Sequence, residues 1–284
     1  MLKLKTFTIA KIPCTLRVIT YKEVPIMVIG RKQVATLVAE FLGTGVLTLA
    51  FLSVMRSTIG IAYFIALAAG VAVAVTAYFF GDVSGSHMNP AITLALWTGR
   101  KIGSVMALLY LIFQTLGAWA AYGVFYYLQG NVKIQAIGGH YTFRVLLAEA
   151  IGAFIFALAW GVVTVRKMDG ASRAFLLGAT YAVAIVVAST AGVLAANNGV
   201  SAVTTGIINP AVALGVRAWA FAGSMGWGTF VLGPVLGALI GYNLYVLLFT
   251  DMKGGSKAVA APATTSTSSS RAKKTTAKKK TSKR

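Results

Sequence analysis

The chain has 284 residues, of which 57% are hydrophobic and 11% are charged. Soluble domains carry about 25% charged residues, so this composition excludes an ordinary soluble protein and indicates a membrane protein. The net charge of +20 does not indicate a nucleic-acid-binding protein, because ten of the 26 basic residues lie in the last 34 positions and seven lie in the first 32. The single cysteine, Cys14, excludes an internal disulfide and has no partner for a metal site.

The first segment, residues 1–30, is a basic extension without the features of a cleavable signal peptide, because lysines and an arginine interrupt its apolar stretches. A membrane-spanning helix needs about 20 mostly apolar residues. Six stretches satisfy this length: Val34–Met55, Ile59–Phe80, Ile102–Leu128, Val145–Val165, Ala174–Ala196 and Gly226–Phe249. Two charged residues fall inside these spans, Glu40 and Glu149.

An even number of spans places both termini on the same side of the membrane. The loops predicted on that side contain most of the loop basic residues, which are Arg100, Lys101, Arg166, Lys167 and Arg173. Basic loops remain preferentially in the cytoplasm, so both termini are predicted to be cytoplasmic and the protein to lie in the cell membrane.

Two further apolar stretches are too short to span a bilayer. One runs from Met88 to about Trp97 and the other from Ile208 to about Trp219. At about 1.5 Å per residue, a ten-residue helix covers roughly half of the hydrocarbon thickness. Such half-helices exist at membrane depth only where protein or a water-filled cavity satisfies their open ends.

The two halves of the chain repeat each other. The segment 39–43 recurs as 148–152, and both half-helices begin with the same triplet, formed by Asn89, Pro90 and Ala91 and by Asn209, Pro210 and Ala211. Each half has three spans, so the second half enters the membrane in the opposite orientation. Inverted repeats place a solute site near the midplane. The predicted fold is an all-α membrane protein with six spans and two re-entrant half-helices, in repeats 31–129 and 143–250.

The triplet has a direct physical interpretation. Asparagine is a favourable N-cap, and proline suits the first helical position because its missing N–H costs nothing there. The Asn oxygen accepts backbone N–H groups of its own helix, which leaves the amide NH2 as a donor to a passing molecule. The converging helix N-termini, each with roughly half a positive charge, would repel cations but admit neutral hydroxyl-bearing molecules.

The segment 84–93, Ser-Gly-Ser-His-Met-Asn-Pro-Ala-Ile-Thr, resembles the first signature of the aquaporin and glycerol-facilitator (major intrinsic protein) family. The resemblance covers about residues 30–250 and includes residues of the third and sixth spans, Tyr110, Gln114, Gly117, Ala118, Gly233, Pro234, Gly237 and Ala238. It implies a right-handed six-helix bundle, a pore in each subunit and assembly as a homotetramer.

The resemblance also implies roles for three polar residues. Glu40 and Glu149 would accept hydrogen bonds from the re-entrant loops, and a proton-coupling role is the alternative. His87 would pack the loop near the cytoplasmic end of the pore, with a pH gate as the alternative. Gly233, Gly237 and Gly241 form a small-residue stripe that indicates close helix packing.

The sequence departs from the family pattern at the outer constriction. The arginine that usually follows the second triplet is replaced by Val212, and an aromatic residue typical of water-selective members is replaced by Ala69. Gly206 and Asn197 complete the predicted selectivity filter, which would be wide and weakly polar. Two class markers conflict, since Arg217 is typical of glycerol facilitators and Phe230 of water channels.

These features predict a passive channel for water and small uncharged solutes such as glycerol. A coupled transporter would need more ionisable residues in its spans, and a non-conducting or gated structural protein of the same fold is the other alternative. The acidic residues are scattered without an enzyme-like constellation, so no catalytic residue, metal or cofactor is predicted. The basic segment 251–284 is predicted to be a disordered cytoplasmic tail, which either stays solvated or binds anionic lipids.

Overall fold

The computed structural model describes residues 30–58, 61–132, 143–197, 206–218 and 224–250. Within these ranges, the regular elements are helices, and six of them are long and apolar enough to cross a membrane. The predicted N-terminal extension before Gly30 and the predicted tail after Thr250 lie outside the described residues. The elements, in chain order, are α1 Arg31–Met55, α2 Ala62–Ser84, α3 Pro90–Thr98, α4 Ser104–Leu128, α5 Phe143–Val165, α6 Gly170–Asn197, α7 Pro210–Gly215, α8 Ser224–Trp227, a π-helical turn Gly228–Leu232 and α9 Gly233–Phe249.

The helix pairs follow the inverted repeat. α1 packs against α4 in the first half, α5 packs against α9 in the second, and α2 crosses α6 between the halves. At this crossing, a Cβ on Gly70 would lie 2.7 Å from the carbonyl oxygen of Gly178, and a Cβ on Gly178 would lie 2.5 Å from that of Gly70. The two glycines therefore bring the backbones of α2 and α6 close together where the halves meet.

The two half-helices end in the same way. Arg100 and Arg217 adopt left-handed conformations with φ of 56° and 60°. The amide of the residue after each arginine then bonds a carbonyl five positions earlier: Lys101 to Leu96 at 2.9 Å, and Ala218 to Ala213 at 2.8 Å. This closure ends α7 at Gly215, so the second half-helix is shorter than the predicted stretch to about Trp219, a residue outside the described part of the chain.

The last span is interrupted near its start. The sequence predicts a plain helix over Gly226–Phe249, whereas the structure has a π-helical turn before α9, in which the amide of Gly233 bonds the carbonyl of Gly228. Pro234 follows this turn and has no N–H to donate to the preceding turn, which is the ordinary cause of such an interruption.

The glycine stripe of α9 packs directly on α5. A Cβ on Gly237 would overlap the carbonyl oxygen of Ala150, and a Cβ on Gly241 would overlap that of Phe154. The first half repeats this contact, because a Cβ on Gly117 of α4 would overlap the carbonyl oxygen of Phe41 on α1. The small residues therefore set the distance between the spans in both halves.

We expect Gly237→Ala to lower the thermal midpoint of the detergent-solubilised protein, because the new methyl group meets backbone that moves only if α5 and α9 separate. Overpacking of this kind costs about 1–3 kcal/mol. Gly123→Ala on α4 is the matched control, since a Cβ there has no neighbour within 4 Å. That change should stabilise the helix by about 0.5–1 kcal/mol, and equal midpoints for the two variants would contradict the packing argument.

Candidate functional site

The two half-helices begin with capping asparagines. Asn89 has an extended backbone, and its Oδ1 accepts the backbone N–H of Ala91 at 2.9 Å. Asn209 does the same for α7, where its Oδ1 accepts the N–H groups of Ala211 at 3.1 Å and Val212 at 3.3 Å. Proline occupies the first turn of each helix, so the triplet provides both the cap and a first residue that needs no partner.

The two asparagines also hold the halves together. Nδ2 of Asn89 donates to the carbonyl oxygen of Ile208 at 2.9 Å, and Nδ2 of Asn209 donates to that of Met88 at 2.8 Å. Met88 and Ile208 adopt positive φ values of 47° and 49°. Left-handed backbone is unfavourable for a β-branched residue such as isoleucine, so this turn is a point of stored strain at the centre of the molecule.

This arrangement changes the expected role of the amide groups. The sequence leaves the whole NH2 group free for a passing molecule, whereas the structure uses one of its two N–H groups in a bond between the halves. An amide nitrogen carries two donors, and Asn89 retains its second N–H. The Asn209 side chain also hydrogen-bonds the hydroxyl of Tyr181, so a solute would share its second N–H with that hydroxyl. The cross-bonds fix the direction of that second N–H.

Glu40 lies at the centre of a hydrogen-bond network around the first loop. Its carboxyl oxygens accept the backbone N–H groups of His87 at 2.9 Å and Met88 at 2.7 Å, immediately before Asn89. They also accept the Ser84 hydroxyl at 2.6 Å and the Gln114 amide at 2.8 Å. Four donors from three segments therefore satisfy this fully buried side chain.

Glu149 holds the second loop with fewer partners. Its carboxyl oxygens accept the backbone N–H groups of Ile207 at 2.8 Å and Ile208 at 2.7 Å. The half-helices and the helices after them are offset by 120 residues, so the counterpart of Gln114 is Pro234, which has no side-chain donor. Glu149 therefore holds its loop through backbone N–H groups, while Glu40 also accepts side-chain donors. Two side chains of α6 hold the second loop as well: the Tyr181 hydroxyl donates to the carbonyl oxygen of Ile207 at 3.1 Å, and the Ser189 hydroxyl accepts the N–H of Gly206.

We expect Glu40→Ala to lower the thermal midpoint more than Glu149→Ala, because it leaves more buried donors without an acceptor. Each unsatisfied buried group costs about 1–3 kcal/mol. Glu149→Gln should fall between wild type and Glu149→Ala, since its oxygen keeps one backbone N–H while its NH2 faces the other. Melting curves in detergent measure the order, and a larger loss at Glu149 than at Glu40 would contradict this account.

His87 is half-buried beside the first loop. Its ring lies edge-on to Tyr110, with centroids 4.9 Å apart, and to Trp160, with centroids 5.4 Å apart. Nδ1 lies 3.3 Å from the hydroxyl of Thr93, which already accepts the amide of Gln114 at 2.9 Å. The hydroxyl proton is then free to donate to Nδ1, which favours the neutral tautomer with its proton on Nε2.

The structure describes the surroundings of three of the four residues predicted for the filter. Ala69 on α2 and Val212 on α7 are both 0% exposed. The N–H of Gly206 donates to the hydroxyl of Ser189 at 2.8 Å, and a Cβ there would lie 2.9 Å from the carbonyl oxygen of Ile185. Asn197 ends α6, eight residues or about 12 Å along the helix beyond Ser189, and its side chain lies outside the described part of the chain.

The α6 segment against the second loop was therefore missed by sequence reasoning. The structure brings Ile185 and Ser189 to Gly206, and the absent Cβ of Gly206 also points at Ala188. The prediction of Asn197 depends on counting back from Asn209 across residues 198–205, and no spacing rule fixes the length of that segment. Gly178, the α6 residue at the contact with α2, is a better reference point because it lies in the same helix. Ile185 follows it by seven residues, or two helical turns, and so lies on the same face.

Comparison with known proteins gives a consistent result. Residues 29–245 match the family model described as "Major intrinsic protein". The chain is 32% identical over 215 residues to a Lactiplantibacillus plantarum protein named glycerol uptake facilitator protein-like 6, covering 71% of this chain and 92% of that one. It is 29% identical over 203 residues to aquaporin AqpM of Methanothermobacter marburgensis, covering 66% and 77%.

The fold also matches a solved structure. An aquaglyceroporin from Plasmodium falciparum superposes with a TM-score of 0.62 at 21% identity, covering 78% of this chain and 98% of that chain. Members of the matched family are membrane channels rather than enzymes. The chain is therefore a multi-pass membrane channel that belongs to the major intrinsic protein family.

Proposed function

We propose that the chain conducts water and small uncharged solutes such as glycerol, passively and in single file, past Asn89 and Asn209. One observation carries this proposal: the half-helix starts meet head to head, because the amide of each asparagine donates to the carbonyl of the residue before the other asparagine, at 2.9 and 2.8 Å. Asn89 retains one N–H as a donor to the oxygen of a passing molecule, and the second N–H of Asn209 is shared with the Tyr181 hydroxyl. The positive ends of α3 and α7 converge at the same place, which disfavours cations.

The proposed filter at the outer end contains Ala69, Gly206 and Val212, with Asn197 as its fourth predicted member. The contacts of Gly206 support adding Ile185, whose carbonyl lies against that glycine. None of these side chains carries a charge, so the filter would reject polyols less strongly than one with an arginine. The names of the matched relatives, a glycerol uptake facilitator-like protein and an aquaporin, agree with passage of both solutes.

The proposed setting is the cell membrane, with both termini in the cytoplasm and four copies in a homotetramer. Exposed apolar side chains along the spans, among them Leu67, Leu108, Trp119 and Ile240, support contact with lipid or with other copies.

The proposed domain division is 1–30, 31–250 and 251–284. In this division, the last segment is a basic tail that binds anionic lipid head groups. Ten basic residues in the tail support this attraction.

A gated or non-conducting state is the second candidate. The observation that favours it is the complete burial of Ala69 and Val212, at 0% exposure each, since a filter open to water would leave its lining accessible. In this candidate, a rearrangement of the second loop would be needed before solute passes.

Stopped-flow light scattering on proteoliposomes distinguishes the two. Fast shrinkage in sucrose is expected for a water channel, and fast re-swelling in glycerol for a wide filter. Empty liposomes and liposomes with the Asn209→Leu variant are the controls. Rates equal to those of empty liposomes in both solutes would refute open conduction and favour the gated or structural state.

A further inference from the structure

One face of α5 points at the meeting place of the half-helices. Glu149, Phe156 and Trp160 are separated by seven and four residues, so they lie on one side of the helix. Glu149 bonds the second loop, and Trp160 contacts His87 of the first loop at 5.4 Å between centroids. This face therefore runs from one re-entrant loop to the other, beside the proposed solute path.

Trp160 has a polar group that packing alone does not explain. The side chain is 4% exposed, and its Nε1–H has no hydrogen-bond acceptor among the described residues. A buried donor without an acceptor is unfavourable, and proteins usually satisfy it with protein, water or ligand. A phenylalanine would also pack a ring at this position, without this cost.

The first half has no counterpart of this donor. α1 and α5 are related by an offset of 109 residues, seen in the pairs Glu40 with Glu149 and Gly43 with Gly152. The same offset relates Trp160 to Phe51, which carries no polar atom. The unpaired N–H is therefore not an element of the repeat, and it lies on the side of the molecule where His87 and the first loop lie.

We propose that Trp160 is a specificity-determining residue of the channel, whose indole N–H binds the oxygen of the permeating molecule beside His87. This inference rests on the proposed function, because it assumes that solute passes between the two loops. The ring packs between His87 and Phe156 and narrows the path. A hydroxyl-bearing solute loses hydrogen bonds to water there, and the indole N–H replaces one of them. The tautomer of His87 assigned above supplies a second N–H in the same region.

Two variants separate the donor from the width. Trp160→Phe keeps a ring and removes the N–H, so the ratio of glycerol to water permeability should fall about fivefold, the factor that loss of one hydrogen bond of typical strength gives. Trp160→Ala removes the ring, so the same ratio should rise. Trp119→Phe is the matched control, because Trp119 is 53% exposed on the outer face of α4. This substitution should leave the ratio unchanged.

An unchanged ratio in both Trp160 variants, in folded and water-permeable protein, would overturn the inference and assign Trp160 to packing alone. A wild-type protein that passes neither solute would refute the proposed function instead.

Cysteine labelling tests the position of residue 160 without a flux measurement. In a Cys14→Ser background, a water-soluble thiol reagent should modify Trp160→Cys but not Trp119→Cys. An unmodified cysteine at position 160 would overturn the inference independently of flux.

Discussion

Replacing Asn209 by leucine is expected to reduce water and glycerol permeability to the level of empty liposomes. Leucine is nearly the same size, but it removes the cap of α7, the bond to Met88 and the remaining N–H donor. Loss of a cap costs about 1 kcal/mol, and the unpaired carbonyl of Met88 costs about 1–3 kcal/mol more. The half-helices would then no longer be held head to head. Stopped-flow light scattering measures the permeability.

One further variant and one control show which property of Asn209 matters. Asn209→Asp should still cap α7, since its carboxylate accepts the same backbone N–H groups, but it cannot donate to Met88 or to solute. We expect it to lose water flux and to admit cations, measured as a potassium leak. Asn243→Leu is the matched control, because this half-buried asparagine bonds Thr98 and Leu239 away from the half-helix starts. Wild-type water flux in Asn209→Leu would contradict the proposed path.

Much of the fold follows from local signals in the sequence. The six spans are long apolar runs, and an Asn-Pro pair at the start of a short apolar run specifies a cap and a first helical residue. The structure confirms the six spans, and its α3, Pro90–Thr98, begins within two residues of the predicted stretch. These features depend on neighbouring residues, which is why a single sequence is sufficient to find them.

Helix ends and interruptions were harder to predict. α7 ends early because Arg217 adopts a left-handed conformation, and arginine gives no signal of this in a sequence, unlike glycine. The π-helical turn before α9 follows from Pro234, but a proline near the start of a helix is compatible with a regular helix too. Each of these outcomes depends on tertiary packing as much as on the residue.

The central contacts could not be predicted in detail because they join distant parts of the chain. Asn89 and Ile208 are 119 residues apart, and Asn209 and Met88 are 121 apart. The asymmetry between the two glutamates is of the same kind, since it depends on which side chains of other helices reach them. The register of α6 at Gly206 does not follow from counting back along the chain from Asn209, because no spacing rule fixes the length of the intervening segment.

The last expected result concerns the outer filter. Val212→Arg should lower glycerol permeability at least about tenfold, which corresponds to about 1.4 kcal/mol of added barrier, while water permeability should fall much less. Val212 is the third residue of α7 and is fully buried. In the proposed filter, a longer side chain at this position extends into the constriction that Val212 shares with Gly206 and Ala69. The guanidinium would narrow that space for a polyol while still donating hydrogen bonds to water.

The charge of this variant gives a second measurement. Arginine at the positive end of a half-helix increases the repulsion of cations, so proton leak in a pH-sensitive dye assay should not exceed that of wild type. Val212→Leu is the control for size without charge, and it should reduce both solutes with less discrimination between them. If Val212→Arg instead reduced water flux more than glycerol flux, Val212 would not lie at the constriction, and the filter would have to be sought along α6 near Ile185.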